Sequence, residues 1–172
     1  MANCLIPTGF SRTCSYKIGG VKNIYLANID YVTAGKSSLT NIYTGVTMSG
    51  SQKFYKFEGI PGTIKTNETL TGDNSKYFKL TLDFVLDGIT QAKREILESL
   101  GLAKVLAIIQ MQDNTYWMYG FDSAGLTVPN GGMVYDSGAA IDDPNTMTVQ
   151  LVGGSSGLAN EVLASALTTV LA

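Results

Sequence analysis

The sequence predicts a mainly β fold: an antiparallel β-sandwich or small barrel flanked by one α-helix, with a second helix at the C-terminus. Three observations predict it. Phe78, Leu80, Leu82, Phe84 and Leu86 alternate with Lys79, Thr81, Asp83 and Asp87, which is the period of a strand with one buried and one wet face. Nineteen Gly against four Pro separate short β-branched and aromatic runs, as tight turns between strands require. Only one internal stretch, 86–112, opens with a helical stripe.

A chain of 172 residues is long enough for one domain with a real core. Residues 1–20 read as a small, polar arm closed by Gly19 and Gly20. A β domain over 21–154 and a terminal helix over 155–172 follow. "VKNIYLANIDYV" (21–32) is the first strand, apolar on both faces and therefore covered on both. A loop over 33–41 leads to a short strand at 42–48. Residues 51–88 contain three strands, turned at Gly59-Ile60-Pro61-Gly62 and at Gly72-Asp73-Asn74-Ser75.

After Gly88 a helix over 89–100 is expected, with Ile89, Ala92, Ile96, Leu97 and Leu100 on one stripe and Gly101 as a left-handed cap. Gln91, Lys93, Arg94, Glu95 and Glu98 take the outward side. "VLAIIQMQ" (105–112) is apolar enough for a central strand, and Asp113-Asn114 turns it into "TYWMYGF" (115–121). A short strand near 133–135 and a longer one over 146–154 complete the sheets. The final residues place Leu158, Val162, Leu163, Ala166, Leu167, Val170 and Leu171 along one face of a helix capped by Ser155 or Ser156. So apolar a helix must dock, on its own domain or on a second copy.

Composition removes several function classes. The chain has no His, which takes away the usual neutral-pH base, the Ser-His-Asp and Cys-His sites and the commonest transition-metal ligand. Neither a GxxxxGK[ST] loop nor a GxGxxG fingerprint occurs. Cys4 and Cys14 are too few for a zinc site and form either one disulfide or two free thiols. No enzyme activity and no cofactor are expected. The residual chemical candidates are carboxylates at Asp122, Asp142 and Asp143, and an aromatic group of Tyr116, Trp117, Tyr119 and Phe121 of a kind that stacks a sugar or base; core packing is the simpler account of the latter. No apolar run is long enough to span a bilayer, and no secretory leader is recognisable, so a soluble chain is expected.

Charge is laid out unevenly. Residues 1–104 carry all 12 bases and eight acids, while residues 105–172 carry six acids and no base. Either folding mixes the two halves, or a basic surface of one copy meets an acidic surface of the next. The bases are scattered, so tight nucleic-acid binding is not expected.

The order of strand, strand, long hairpin, alternating strand, helix, apolar strand, hairpin and final strand resembles the tail tube family of tailed bacteriophages. The segments "CLIPTGFSRTCSYKIGGVKNIYLANID" and "QDNTYWMYGFDSAGLTV" are similar to short virion proteins of Bacteroidota phages. That resemblance implies a structural virion subunit, made in the bacterial host cytoplasm, that closes into a ring, six-fold by the family's habit. Rings stack into a conduit for DNA ejection. It also implies tape-measure, terminator and sheath proteins as partners. Lys79, Thr81 and Asp83 would face the lumen, and Lys36, Ile60, Lys65, Glu68, Leu158, Val162 and Leu167 would touch neighbouring copies. The terminal helix departs from the family and leaves an adaptor or baseplate ring as an alternative, beside a monomeric carbohydrate-binding module.

Overall fold

The computed structural model describes residues 19–37, 39–140 and 142–172. The arm proper, with Cys4 and Cys14, lies outside them. Among the described residues, eleven strands form two sheets with one α-helix at their side, which is the mainly β, sandwich-like architecture the sequence predicts.

The strands are β1 (Val21–Asn28), β2 (Val32–Lys36), β3 (Tyr43–Met48), β4 (Tyr55–Phe57), β5 (Lys65–Thr71), β6 (Tyr77–Asp87), β7 (Val105–Met111), β8 (Tyr116–Tyr119), β9 (Met133–Asp136), β10 (Thr146–Ser155) and β11 (Asn160–Val162). The helix α1 spans Gln91–Leu102. A seven-stranded sheet has the order β2-β3-β11-β8-β7-β1-β4, and a four-stranded sheet the order β5-β6-β10-β9. All pairings are antiparallel except β11 with β3.

One core lies between the sheets. Leu80, Leu82, Phe84 and Leu86 of β6 meet Val149 and Leu151 of β10 and, across the sandwich, Ile24, Ala107 and Ile109. β7 is buried on both faces, because a second core covers the far side of the seven-stranded sheet. There Leu106, Ile108 and Met118 pack with Tyr43, Phe54, Val162, Leu167 and Val170. The sole polar side chain of β7, Gln110, bonds Asn23 at 2.6 Å and Asn114 at 3.3 Å, so its burial is compensated.

The sheets are also stitched through the backbone. Leu126 exchanges hydrogen bonds with Val105 of β7, and Thr127 does the same with Val152 of β10. One corner thus belongs to both sheets, and the sandwich is closed on that side. Between β5 and β6, Gly72 turns at φ +94°, and a Cβ there would stand 2.2 Å from the Ser75 carbonyl oxygen; only glycine fits.

Three expectations are corrected. No α-helix forms over 155–172; the segment contains β11 and a 3₁₀ turn at Ala164–Ala166. β11 fills the gap between β3 and β8, so two strand edges compete for its backbone and outweigh its helical periodicity. The chain then runs beside Phe54, whose N–H bonds the Val170 carbonyl at 2.8 Å. Second, residues 33–36 are strand β2 and not loop, pairing with β3. Third, α1 starts two residues later than expected, with Thr90 as its cap, and Gly101 lies inside its last turn. Leu97 and Leu100 are buried as expected, but Ile96 is 56% exposed and Ala92 is exposed, because α1 touches the sandwich along a narrow line.

Candidate functional site

The outer face of the four-stranded sheet is built by register. Lys65 of β5 stands opposite Asp83 of β6, and Asp83 stands opposite Gln150 of β10. The next rows are Asn67, Thr81 and Val152, then Thr69, Lys79 and Gly154. Residues opposite one another in an antiparallel pair share a face, so Lys79, Thr81 and Asp83 form one polar surface with Lys65. The Gln150 amide donates to Asp83 Oδ1 at 2.7 Å, which fixes the first row. Lys79 is exposed, whereas Thr81 and Asp83 are half-buried between their neighbours.

Glu68 occupies the other face of β5 and joins the sheets. Its Oε1 accepts from the Tyr119 phenol of β8 at 2.8 Å, and its Oε2 from the Ala159 N–H at 2.8 Å. Both oxygens are thus engaged within the chain, and Glu68, expected at a contact with another copy, is half-buried. Burial first, and the Glu68 carboxylate after it, push the Tyr119 phenol well above the usual tyrosine range.

A second polar cluster centres on Asp122. Lys36 forms an ion pair with Asp122 Oδ2, the Asn160 amide donates to the same oxygen at 3.0 Å, and the Tyr43 phenol donates to Oδ1 at 3.2 Å. The Lys36 ammonium also stands 4.8 Å from the Tyr43 ring centre. The Tyr43 phenol is pushed far upward, by burial above all and by Asp122 in addition. Lys36 is therefore committed to its own chain, and here folding does bring the basic and acidic halves together.

Of the remaining contact candidates, Val162 and Leu167 are 1% exposed and belong to the second core. Their expected role as contacts on a docking helix is corrected: the extended terminal segment turns them inward. Ile60 is half-buried in its turn, with its N–H bonded to the Val85 carbonyl. Lys65 is exposed, and Leu158 is 55% exposed. Leu39 and Leu102 are 93% exposed and were not singled out by periodicity.

The aromatic group does not make a ligand platform. Tyr119 and Trp117 pack on the inter-sheet core, whereas Tyr116 and Phe121 pack on the opposite one. Nor do the three carboxylates converge on one reaction centre. Asp143 accepts the backbone N–H groups of Ala140 and Ala139, which hold its carboxyl below the usual range, while Asp122 sits in its own cluster. Among the described residues, no three His, Cys, Asp or Glu side chains gather to hold a metal ion. No helix among them is long and apolar enough to cross a membrane.

The chain was compared with protein-family models, curated proteins and solved structures, and none of them matches it.

Proposed function

We propose that the chain is a structural subunit that closes into rings and stacks around a lumen, as a bacteriophage tail tube protein does, forming a passive wall for DNA without catalysing a reaction. The observation that carries this reading is the outer face of the four-stranded sheet. β6 runs for eleven residues with Leu80, Leu82, Phe84 and Leu86 in the core, while Lys79, Thr81, Asp83 and Asp87 take its other side, exposed or half-buried. Lys65 and Lys79 are balanced there by Asp83 and Asp87, a surface too weakly charged to hold phosphates firmly.

Two further features support assembly. β5 and β9 are the edge strands of that sheet, and unpaired edges are normally protected or paired by a neighbour. Leu39, Leu102, Leu158 and Ile96 leave apolar surface in solvent, which burial by copies of the chain would remove. On this reading Lys79, Thr81 and Asp83 face the lumen, Lys65 and Leu158 lie at contacts, and the protein resides in a virion tail. A six-fold ring and partnership with tape-measure, terminator or sheath proteins come from the family resemblance. Electron microscopy of the purified chain across a concentration series tests it: rings or short tubes are expected, and a strict monomer throughout would refute it.

A further inference from the structure

The polar sheet is electrically unlike at its two ends. At the start of β6, a cavity of about 490 Å³ is lined by Lys79 and Lys104, with Thr71, Tyr77, Thr127 and Val152 beside them. No carboxylate lines it, and among the described residues neither lysine has an ion-pair partner. Lys76 stands in the adjoining turn with Asp73. At the far end of β6, roughly 33 Å away at a strand's rise per residue, the balance reverses. Asp87 lies across from Thr146, which lies across from Asp136, and Asp142 and Asp143 follow in the neighbouring turn. All four are exposed. The bases on that side are Lys93, whose ammonium bonds the Asp87 carbonyl, and Arg94, which lies over the Tyr135 ring.

We infer that the lysine-lined cavity is the seat for the acidic end of a second copy, so that subunits join end to end along the strands of the four-stranded sheet. This rests on the proposed ring assembly and names the contact by which one ring stacks on the next. Two exposed ammonium groups without an ion-pair partner give that end a positive potential that favours anions, and the exposed carboxylates of Asp87 and Asp142 lie at the opposite end of the same sheet. Simple translation along the strands therefore presents acids to lysines. Such a contact uses two different surfaces, and under translation along the strands it does not close on itself but extends a stack. Each rim pair is weak and screened by salt, so several must act together.

Charge reversal tests it on the full chain. Lys79→Glu with Lys104→Glu makes both ends acidic, and Asp87→Lys with Asp142→Lys makes both basic. No carboxylate altered here accepts a described hydrogen bond, so folding should survive, which circular dichroism and thermal melting check. Each double variant alone should need roughly tenfold more protein than the parent to stack, the loss of several weak pairs, while an equimolar mixture of the two should stack near the parent concentration. If the variants stack alone like the parent, this contact is wrong and the ring proposal stands. If the parent forms open end-to-end filaments without rings, the ring proposal fails and this contact stands. If the lysine variant stacks normally but loses retention of duplex DNA at low salt, the cavity serves phosphodiesters, and the inference is overturned.

Discussion

The Tyr119 phenol on β8 donates to the Glu68 carboxylate on β5 at 2.8 Å, joining the two sheets through residues 51 positions apart. Tyr119 is 6% exposed, so its phenolate would have to form beside a carboxylate and away from water. The phenol of Tyr43 is held protonated in the same way, beside Asp122. Both folded values lie above the unfolded tyrosine value, so the stability they contribute is complete below about pH 10 and falls as pH rises from there. Each phenol should steepen the fall by about 1.4 kcal/mol per pH unit. Urea midpoints between neutral and alkaline pH should show this slope, and Tyr119→Phe should remove one phenol's share of it. An unchanged slope in that variant would show that Tyr119 ionises freely in the fold.

Asp122 should matter more than its ion pair. Lys36→Met removes a partly exposed pair and should cost under about 1 kcal/mol. Asp122→Ala strips partners from Lys36, Asn160 and the buried Tyr43 phenol together, and should cost about 1–3 kcal/mol. Chemical denaturation of the two variants measures the difference.

The terminal segment should be part of the cooperative fold. Leu167 is 1% exposed in the second core, and Leu167→Ala should lower stability by about 2–5 kcal/mol. Leu158→Ala, at an exposed position, should change monomer stability by less than about 0.5 kcal/mol. Equal effects would mean that the segment does not pack as described.

The corner shared by the sheets should be intolerant of volume. A Cβ on Gly153 would stand 2.8 Å from the Leu126 side chain and 2.9 Å from the Gly125 carbonyl oxygen. Gly153→Ala should therefore destabilise by about 1–3 kcal/mol. Gly157→Ala meets nothing within 4 Å and serves as the control in the same melting experiment.

Strands whose side chains repeat every second residue were legible before any coordinates. β6 shows its inward Leu80, Leu82 and Phe84 directly, and β7 announces burial on both faces through an unbroken apolar run. Local periodicity misled where a partner decided the outcome. The terminal segment has a helical spacing, yet the free edges of β3 and β8 draw Asn160–Val162 into a strand. On α1, Ile96 fits the apolar stripe but is left 56% exposed. The polar surface was half legible: alternation placed Lys79, Thr81 and Asp83 on one face, but Lys65 and Gln150 join them through pairing across the sheet. Glu68 with Tyr119, and Lys36 with Asp122, span 51 and 86 residues, and no pattern along the chain signals such meetings.

On the proposed assembly, the polar face of the four-stranded sheet lines a lumen. Asn67 lies on that face, exposed and across from Thr81, so Asn67→Cys can carry a small gold label once Cys4 and Cys14 are replaced by Ser. End-on electron micrographs of labelled assemblies measure its radius directly. Gold inside the ring opening is expected, and gold on the outer wall would rule out a lumen-facing sheet.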